Sequence, residues 1–376
     1  MARFLHTADW QIGRQFSQFP PEDGAALAEA RIATVATLAQ MATAHRVDAV
    51  LVAGDVFDVQ NVASRTLRQL MSALAGYDGP WVVIPGNHDA ALAEGVWVRA
   101  VRAGLAPANL RLVTTPGIVD FPEVGFSVLA APLTQRQTHD DLTGWFDGAA
   151  TLPGRLRIGL AHGSVQGILH DEVDSPNPIA PDRATSARLD YLALGDWHGC
   201  RRIDDRTWYS GTPEPDRFKA NEPGHALLVE LLHPGALPTV TRLATARFTW
   251  TAWEAHLEIA SDVDLVSTRL AGAGAADVLS VRLGGRVDLP GMARLREALA
   301  GAEASARSLL QDLGELRLLP TDEDIATLAA DGYVGEVIAA LRVRQEAGGG
   351  DAGLAAEALG LLAGMLADSR DSGRPA

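Results

Sequence analysis

The chain has 376 residues, 47% of them hydrophobic, and this length predicts two or three globular units with sizeable cores. The net charge is −15 and Lys219 is the one lysine among 32 basic residues, which argues against general coating of nucleic acid. No apolar run has the length of a membrane helix, and the single Cys200 excludes an internal disulfide. The first residues show no charged region followed by a long apolar run, so we expect no signal peptide. We therefore expect a cytoplasmic protein without a membrane partner.

The first 230 residues alternate short apolar runs with helical patterns. Strands are predicted, in chain order, at Arg3–Ala8, Val47–Ala53, Trp81–Pro85, Gly125–Ala131, Leu156–Ala161 and Tyr191–Leu194. These runs are continuously apolar, which is typical of strands covered on both faces. Helices are predicted at Glu22–His45 and Val62–Leu74, where apolar residues recur at helical spacing. Buried strands separated by helices indicate a layered α/β domain, residues 1–240.

The second part of the chain has a different pattern. Residues 206–232 still predict two strands of the first domain, joined by a loop rich in proline and glycine. Residues 247–318 contain the strand patterns "FTWTAWEAHLEI" and "DVLSVRLGG" among helical stretches, which predicts a small α+β domain. Residues 319–369 are predicted to be helical, with a turn at "EAGGGD", and residues 370–376 to be a disordered tail.

Polar motifs follow five of the predicted strands, and open α/β sheets bind their ligands at this carboxyl edge. The motifs are "HTADWQIG", "GDVFD", "GNHD", "AHG" and "GDWHG". The candidate ligands in them are Asp9, Gln11, Asp55, Asn87, His88, His162, Asp196 and His198. Carboxylates, imidazoles and amides can together hold two divalent ions, which neutralise the phosphate and stabilise the leaving oxygen in phosphodiester hydrolysis.

The order of these motifs resembles that of the calcineurin-like metallophosphoesterases. Within that family, "FLHTADWQIGR" and "YSGTPEPDRF" resemble the SbcD-type nuclease subunits of DNA double-strand-break repair. The resemblance covers residues 3–230 and, more loosely, the small domain that follows. It implies a β-sandwich flanked by helices, with the α+β domain as a cap, and a metal-dependent hydrolase that acts on DNA as exonuclease, endonuclease or both.

The resemblance also implies a role for each matching position. With Asp55 shared, the two ions would be held by Asp9, Gln11 and His198 and by Asn87, His162 and Asp196. His88 would be the general acid that protonates the leaving oxygen, and Asp89 would orient its imidazole. Arg14, Arg217 and Phe218 lie in motifs that would face the substrate.

Two positions depart from the family pattern. Gln11 stands where the first motif usually has a histidine, and Asp196 stands where the last motif usually has one. Either the site has lost ligands and the protein is a scaffold, or the site has been retuned. We favour retuning, because both side chains offer oxygen ligands and the other motif residues are intact. A site rich in oxygen favours hard ions, Mn²⁺ first and Mg²⁺ second, over zinc.

Three functions remain open at this stage: a two-metal phosphodiesterase acting on DNA, a phosphoesterase for small mono- or diesters, and a non-catalytic scaffold. The resemblance implies DNA and a coiled-coil ATPase of the SbcC type as partners. The helical residues 319–369 would dock on that partner or pack on the protein's own core, and a homodimer is a further arrangement. His6, Trp10 and Trp197 are expected to be packing residues rather than ligands or base-stacking platforms.

Overall fold

The computed structural model describes residues 1–167, 177–328 and 332–371. The chain divides into two compact units, Met1–Phe248 and Thr249–Ala376. The boundary follows directly after Phe248, which is buried.

The first unit contains most of the strands. In chain order they are β1 (Ala2–Thr7), β2 (Ala49–Ala53), β3 (Trp81–Ile84), β4 (Leu110–Leu112), β5 (Gly117–Phe121), β6 (Phe126–Ala131), β7 (Leu156–His162), β8 (Ser164–Val165), β9 (Pro178–Ile179), β10 (Tyr191–Gly195), β11 (Arg201–Arg202), β12 (Thr207–Tyr209), β13 (His225–Leu231) and β14 (Thr239–Ala244). The helices are α1 (Pro21–Ala44), α2 (Ser64–Leu74), α3 (Val96–Arg102) and α4 (Arg183–Ser186), with a 3-10 helix at Gly144–Gly148.

Two six-stranded sheets pack face to face in this unit. Their orders are β14-β13-β1-β2-β3-β4 and β11-β12-β10-β7-β6-β5, and the central strands of each are parallel. Side chains of both sheets, Phe4 and Leu51 of one and Phe126 and Ile158 of the other, form one buried cluster between them. Helices α1, α2 and α3 cover the outer face of the first sheet. The expected β-sandwich flanked by helices is confirmed.

The strands that were predicted individually from the sequence all lie in the interior of the two sheets. The six strands predicted individually correspond to β1, β2, β3, β6, β7 and β10, and the two predicted helices to α1 and α2. Strands such as β5 and β14 were missed, because they lie at sheet edges and are largely half-buried or exposed. An edge strand faces solvent on one side, so its sequence has no continuous apolar run.

The second unit is built on a parallel three-stranded sheet. Its strands are β15 (Thr249–Leu257), β16 (Asp277–Val287) and β17 (Ser308–Leu318), and its helices are α5 (Ala260–Ala271), α6 (Leu289–Ser305), α7 (Asp322–Leu328), α8 (Gly332–Glu346) and α9 (Ala352–Asp371). Helices α5 and α6 connect the strands and bury Val266 and Leu295 against Val281 and Leu283. Parallel neighbours require such crossover helices.

The last helix packs on the sheet of this unit and leaves one side exposed. Helix α9 approaches β17 so closely that a Cβ at Gly360 would lie 2.1 Å from the carbonyl oxygen of Leu318. Leu354, Leu361 and Met365 are 68–70% exposed. By length and composition alone, residues 352–369 could cross a membrane, which was not expected from the sequence. In the folded protein, 22% of this segment is buried.

The end of helix α9 overlaps the carboxyl-terminal tail that was predicted to be disordered. The helix runs to Asp371 and so includes the first two residues of the segment predicted to be disordered. The other five residues, 372–376, lie outside the described residues.

Candidate metal centre

The polar motifs all end at one edge of the sandwich. Asp9 and Gln11 follow β1, Asp55 follows β2, Asn87 and His88 follow β3, His162 ends β7, and Asp196 and His198 follow β10. Strands β1, β2 and β3 are parallel neighbours in one sheet, and β7 and β10 are parallel neighbours in the other. Parallel strands finish at the same edge, so the topology brings residues from distant parts of the chain together.

Four of the predicted ligands have a left-handed backbone. The φ angles of Asp9, Gln11, Asp55 and Asp196 are 55°, 48°, 54° and 105°. A non-glycine residue in such a conformation costs about 1–3 kcal/mol and persists only where its surroundings impose it. Here the motif turns support each other, because the main-chain N–H of Asp9 donates to Gly54 and that of Gln11 donates to Asp55, both at 3.0 Å. The strain is concentrated where the ligands lie.

Asp55 lies at the centre of the cluster. Its Oδ2 accepts a hydrogen bond from Nε2 of Gln11 and its Oδ1 accepts one from the main-chain N–H of His88, both at 2.9 Å. The Asn87 amide, with its nitrogen turned toward Asp55, donates to both carboxylate oxygens at 3.0 and 3.2 Å. Nε2 of His162 is 3.6 Å from Oδ1. This central position is the geometry that a carboxylate shared by two ions requires.

The His162 ring is held so that one nitrogen faces the cluster. Nδ1 donates to the carbonyl oxygen of Ala53 at 2.8 Å, which leaves Nε2 near Asn87 at 2.9 Å and near Oδ1 of Asp196 at 3.7 Å. A histidine whose Nδ1–H is bound to a carbonyl is preset to ligate through Nε2. Burial acts against the charged ring, but the carboxylates of Asp55, Asp9 and Asp196 raise the pKa of His162 to about 9.

Asp9 completes a group of ligand atoms at metal-binding distances. Ligand atoms of Asp9, Asp55 and His162 lie within 4.8 Å of one another, and all three residues are buried. The Asp9 carboxylate accepts from the main-chain N–H of Asp196 at 3.1 and 3.2 Å. Burial raises the pKa of Asp9 to about 6, although the imidazoles of His198 and His162 oppose the rise. Several carboxylates buried this closely are stabilised by cations.

The side chain of Gln11 offers a buried oxygen that a cation could bind. Its amide nitrogen is used by Asp55, and its Oε1 is buried without a hydrogen-bond donor among the residues that the structure describes. A buried acceptor left unpaired costs about 1–3 kcal/mol. The close packing also leaves no room for extra side chains, since a Cβ at Gly86 would lie 2.2 Å from Oδ1 of Asp55 and one at Gly54 would lie 2.5 Å from Nδ1 of His162.

His88 is oriented by a main-chain carbonyl and not by Asp89, so the predicted role of Asp89 is wrong. The His88 Nδ1 donates to the carbonyl oxygen of Asp58 at 2.7 Å, which leaves Nε2 available on a half-buried ring. The Asp89 carboxylate instead accepts main-chain N–H groups of Gly86, Val56 and Phe57, at 2.7, 3.0 and 3.3 Å. Its function is to tie the turn after β3 to the loop after β2.

The remaining predicted residues lie on the His198 side of the cluster. Nδ1 of His198 is 3.1 Å from Oδ2 of Asp216, and Nη1 of Arg14 is 3.4 Å from the same oxygen. Arg217 donates to Asp216 through Nε at 3.1 Å and Nη2 at 3.0 Å. The Phe218 ring lies 6.3 Å from the ring of Phe19.

Three neighbours of the motifs are packing residues, as expected. His6 is buried between the Tyr191 hydroxyl at 3.0 Å and the Leu194 carbonyl at 3.1 Å, and burial lowers its pKa to about 3. Trp10 is buried and donates to the Thr7 hydroxyl at 2.9 Å. Trp197 packs on the buried cluster outside the second sheet, with Nζ of Lys219 4.6 Å from its ring centre.

Two residues that support the site, Arg31 and Asp216, were not predicted from the sequence. Arg31 is 2% exposed and donates to the carbonyl oxygens of Asp9 and Trp10 at 3.2 and 2.6 Å. The sequence does indicate that Arg31 is buried, because Leu27, Arg31 and Val35 are spaced by four residues and so share the buried face of α1. Asp216 lies within the motif "YSGTPEPDRF", from which only its two following residues were selected.

Comparison with known proteins agrees with this geometry. Residues 2–229 match the family described as calcineurin-like phosphoesterase. The SbcD subunit of the nuclease SbcCD of Rhodobacter capsulatus is 31% identical over 290 residues, with coverage of 63% of this chain and 68% of that protein. The DNA double-strand break repair protein Mre11 of Methanosarcina acetivorans is 29% identical over 245 residues, 62% of this chain and 37% of that protein. The SbcD subunit of the nuclease SbcCD of Escherichia coli K12 is 38% identical over 133 residues, 32% of each chain.

The family match extends over more than half of the chain and contains every strand end that contributes to the cluster. The similarity to Mre11 and to the Escherichia coli protein spans only about a third of those proteins. The chain belongs to the calcineurin-like phosphoesterase family and is a hydrolase of phosphoester bonds.

Proposed function

We propose that this protein is a two-metal phosphodiesterase that cleaves DNA in the cytoplasm. The observation that carries the proposal is the cluster around Asp55 and His162, which joins side chains from five strand ends in two sheets. A phosphodiester is already anionic, and two divalent ions would neutralise its charge during attack. The relatives in Rhodobacter capsulatus and Escherichia coli are named as nucleases, and the relative in Methanosarcina acetivorans is named as a DNA double-strand break repair protein, which favours DNA over a small ester.

Each side chain has a distinct task in this proposal. With Asp55 between the ions, one ion would be held by Asp9, Gln11 and His198 and the other by Asn87, His162 and Asp196. Asn87 would ligate through its carbonyl oxygen, so its amide would turn from the orientation in which the nitrogen donates to Asp55. His88 has its Nδ1 proton engaged by the Asp58 carbonyl, so a proton on Nε2 is the one it can give to a leaving oxygen. Arg14 and Arg217 lie beside His198 and would contact phosphate oxygens, and Phe218 would contact the substrate.

Cleavage assays with matched substrates test the function. The purified protein with Mn²⁺ is expected to degrade linear duplex or single-stranded DNA, and Asp55→Asn is expected to abolish this activity. Hydrolysis of bis(p-nitrophenyl) phosphate without any action on DNA would replace the proposal by a phosphoesterase for small substrates. Failure of the intact protein to bind Mn²⁺ would leave the scaffold interpretation.

The oxygen-rich donor set predicts the choice of metal. We expect Gln11→His to shift the ratio of bound Mn²⁺ to bound Zn²⁺ at least tenfold toward zinc, because imidazole is a softer ligand than the amide oxygen it replaces. Equilibrium dialysis against equal concentrations of both ions, followed by elemental analysis, measures the ratio. Gln15→His is the matched control, since Gln15 is exposed and bonds to the Gly13 carbonyl. Equal ratios in the two variants would show that Gln11 is not a ligand.

We also propose that the exposed side of α9 binds a coiled-coil ATPase subunit. Leu354, Leu361 and Met365 are spaced by seven and four residues, so they lie along one side of the helix. The relatives in Rhodobacter capsulatus and Escherichia coli are, by their names, subunits of a larger nuclease. Such a partner would also supply positive charge for DNA, which this acidic chain lacks.

Charged substitutions on α9 test the partner proposal. We expect Leu361→Glu combined with Met365→Glu to reduce co-purification of the neighbouring ATPase at least tenfold, while thermal unfolding and Mn²⁺ binding stay unchanged. Leu265→Glu, at a residue of α5 that is 71% exposed, is the control. Unchanged co-purification, or loss in the control as well, would contradict this docking surface. Size-exclusion chromatography of the same variants shows whether the surface instead forms a homodimer.

A further inference from the structure

The carboxylate of Asp216 gathers three side chains beside the metal centre. Asp216 is 2% exposed. Its Oδ2 is 3.1 Å from Nδ1 of His198, 3.0 Å from Nη2 of Arg217 and 3.4 Å from Nη1 of Arg14, while Oδ1 accepts from Nε of Arg217 at 3.1 Å. Arg14 lies between β1 and α1 and His198 lies after β10, so one buried group connects side chains that are far apart in sequence.

A second buried carboxylate in the same loop has a different environment. Glu214 is also 2% exposed, but it accepts from the Thr34 hydroxyl at 2.9 Å and from main-chain N–H groups of Arg247 and Phe248 at 2.6 and 3.0 Å. Glu214 therefore holds the loop to α1 and to the end of the first unit. Glu214 is therefore a carboxylate with a structural role, and it can be compared with Asp216, whose contacts are with side chains of the metal centre.

The His198 ring can have either of two tautomers in this arrangement. Nδ1 lies near the Asp216 carboxylate and also 2.9 Å from Nη2 of Arg217. A ring nitrogen donates in one tautomer and accepts in the other. If Nδ1–H donates to Asp216, Nε2 is a bare nitrogen that can hold a cation. If Nδ1 accepts from Arg217, the proton of the neutral ring is on Nε2 and blocks ligation.

We propose that Asp216 is a positioning residue of the metal centre: it keeps the proton of His198 on Nδ1, so that Nε2 can hold a cation, and it fixes Arg14 and Arg217 beside the site. This inference rests on the proposed function, in which His198 is a ligand. The charge favours this tautomer, because the anionic oxygen accepts from several donors at once, while Arg217 is already paired with Asp216 through Nε and Nη2. Carboxylates that orient a ligating histidine in this way typically contribute about 10–100-fold to metal affinity.

Nitrogen NMR of the intact, metal-free protein tests the tautomer without any substitution in the measured molecule. Histidine labelled with ¹⁵N distinguishes a protonated from a bare ring nitrogen, and the spectrum of His198→Gln identifies the signals of His198. The expected result is a protonated Nδ1 and a bare Nε2. A bare Nδ1 with a protonated Nε2 would overturn the proposal.

Mn²⁺ titration of the full chain by calorimetry tests the consequence. We expect Asp216→Asn to weaken binding about 10–100-fold. Glu214→Gln is the matched control and is expected to lower the melting temperature but to change the Mn²⁺ affinity less than threefold. In a His198→Gln background, Asp216→Asn is expected to cause no further loss, since its effect acts through that ring. Wild-type affinity in Asp216→Asn, an equal loss in Glu214→Gln, or an undiminished effect in the His198→Gln background would each overturn the role of Asp216.

The proposed function and this inference fail in different ways. A wild-type protein that binds Mn²⁺ as expected but does not cleave DNA overturns the substrate proposal and leaves the position of Asp216 supported by the titrations. A wild-type protein that binds no Mn²⁺ overturns both. If Asp216→Asn does not fold, the tautomer seen in the wild-type protein still decides the proposal.

Discussion

Replacing His88 with alanine is expected to lower kcat for DNA about 10²–10⁴-fold while both ions remain bound. The imidazole contacts the Asp58 carbonyl through Nδ1, and only its main-chain N–H contacts Asp55. Truncation of the ring therefore removes no ligand atom and keeps the hydrogen bond to Asp55. What is lost is the group that can protonate the leaving oxygen. A deoxyribose alkoxide is a poor leaving group and needs that proton.

Leaving-group dependence separates acid catalysis from structural damage. Turnover of bis(p-nitrophenyl) phosphate by His88→Ala should fall much less than turnover of DNA, because p-nitrophenolate leaves without a proton. Calorimetry should find the same Mn²⁺ stoichiometry and affinity as in the wild type. His139→Ala is the control, since His139 is an exposed residue of the same unit. If metal binding and both activities fell together, His88 would be a ligand or a structural residue.

Replacing Arg31 with alanine is expected to lower the free energy of unfolding by about 4 kcal/mol or more, which is at the upper end for a single substitution. The guanidinium donates to main-chain carbonyls of Asp9, Trp10, Glu214 and Pro215 and to the Thr212 hydroxyl, at 2.6–3.2 Å. Without it these acceptors are buried and unpaired, and a cavity forms beside the first motif. Burial lowers the pKa of Arg31, an effect that the charges of Asp216 and Glu214 oppose.

The loss should also reach the metal centre, because Arg31 holds two carbonyls, those of Asp9 and Trp10, within the turn that carries Asp9 and Gln11. Urea unfolding measures the stability, and Mn²⁺ titration measures the affinity. Arg31→Lys should recover only part of both, since an ammonium has three donors and cannot reach all five acceptors. Arg65→Ala, at an exposed position of α2, should change stability by less than about 0.5 kcal/mol. A loss below about 1 kcal/mol in Arg31→Ala would show that water replaces the guanidinium.

The strands that carry the site could be recognised from the amino-acid sequence because they are covered on both faces. Such strands have unbroken apolar runs, and β2, which is buried at all five positions, is an example. The polar residues directly after these runs stand out for the same reason. Since parallel strands end at a common edge, local patterns predicted that the eight candidate ligands converge, and ligand atoms of three of them, Asp9, Asp55 and His162, lie within 4.8 Å of one another.

The partner of each polar group, in contrast, depends on where distant loops come to lie. No local pattern shows that the imidazole of His88 contacts the Asp58 carbonyl. Nor does any local pattern show that the Asp89 carboxylate accepts hydrogen bonds from three main-chain N–H groups. Arg31 and Asp216 were missed because their contacts, apart from that of Asp216 with the adjacent Arg217, are with residues 18 to 202 positions away, which leave no sequence signature. Apolar burial is a property of each segment, whereas the hydrogen-bond pairing and the left-handed turns at the ligands depend on segments that only the tertiary structure brings together.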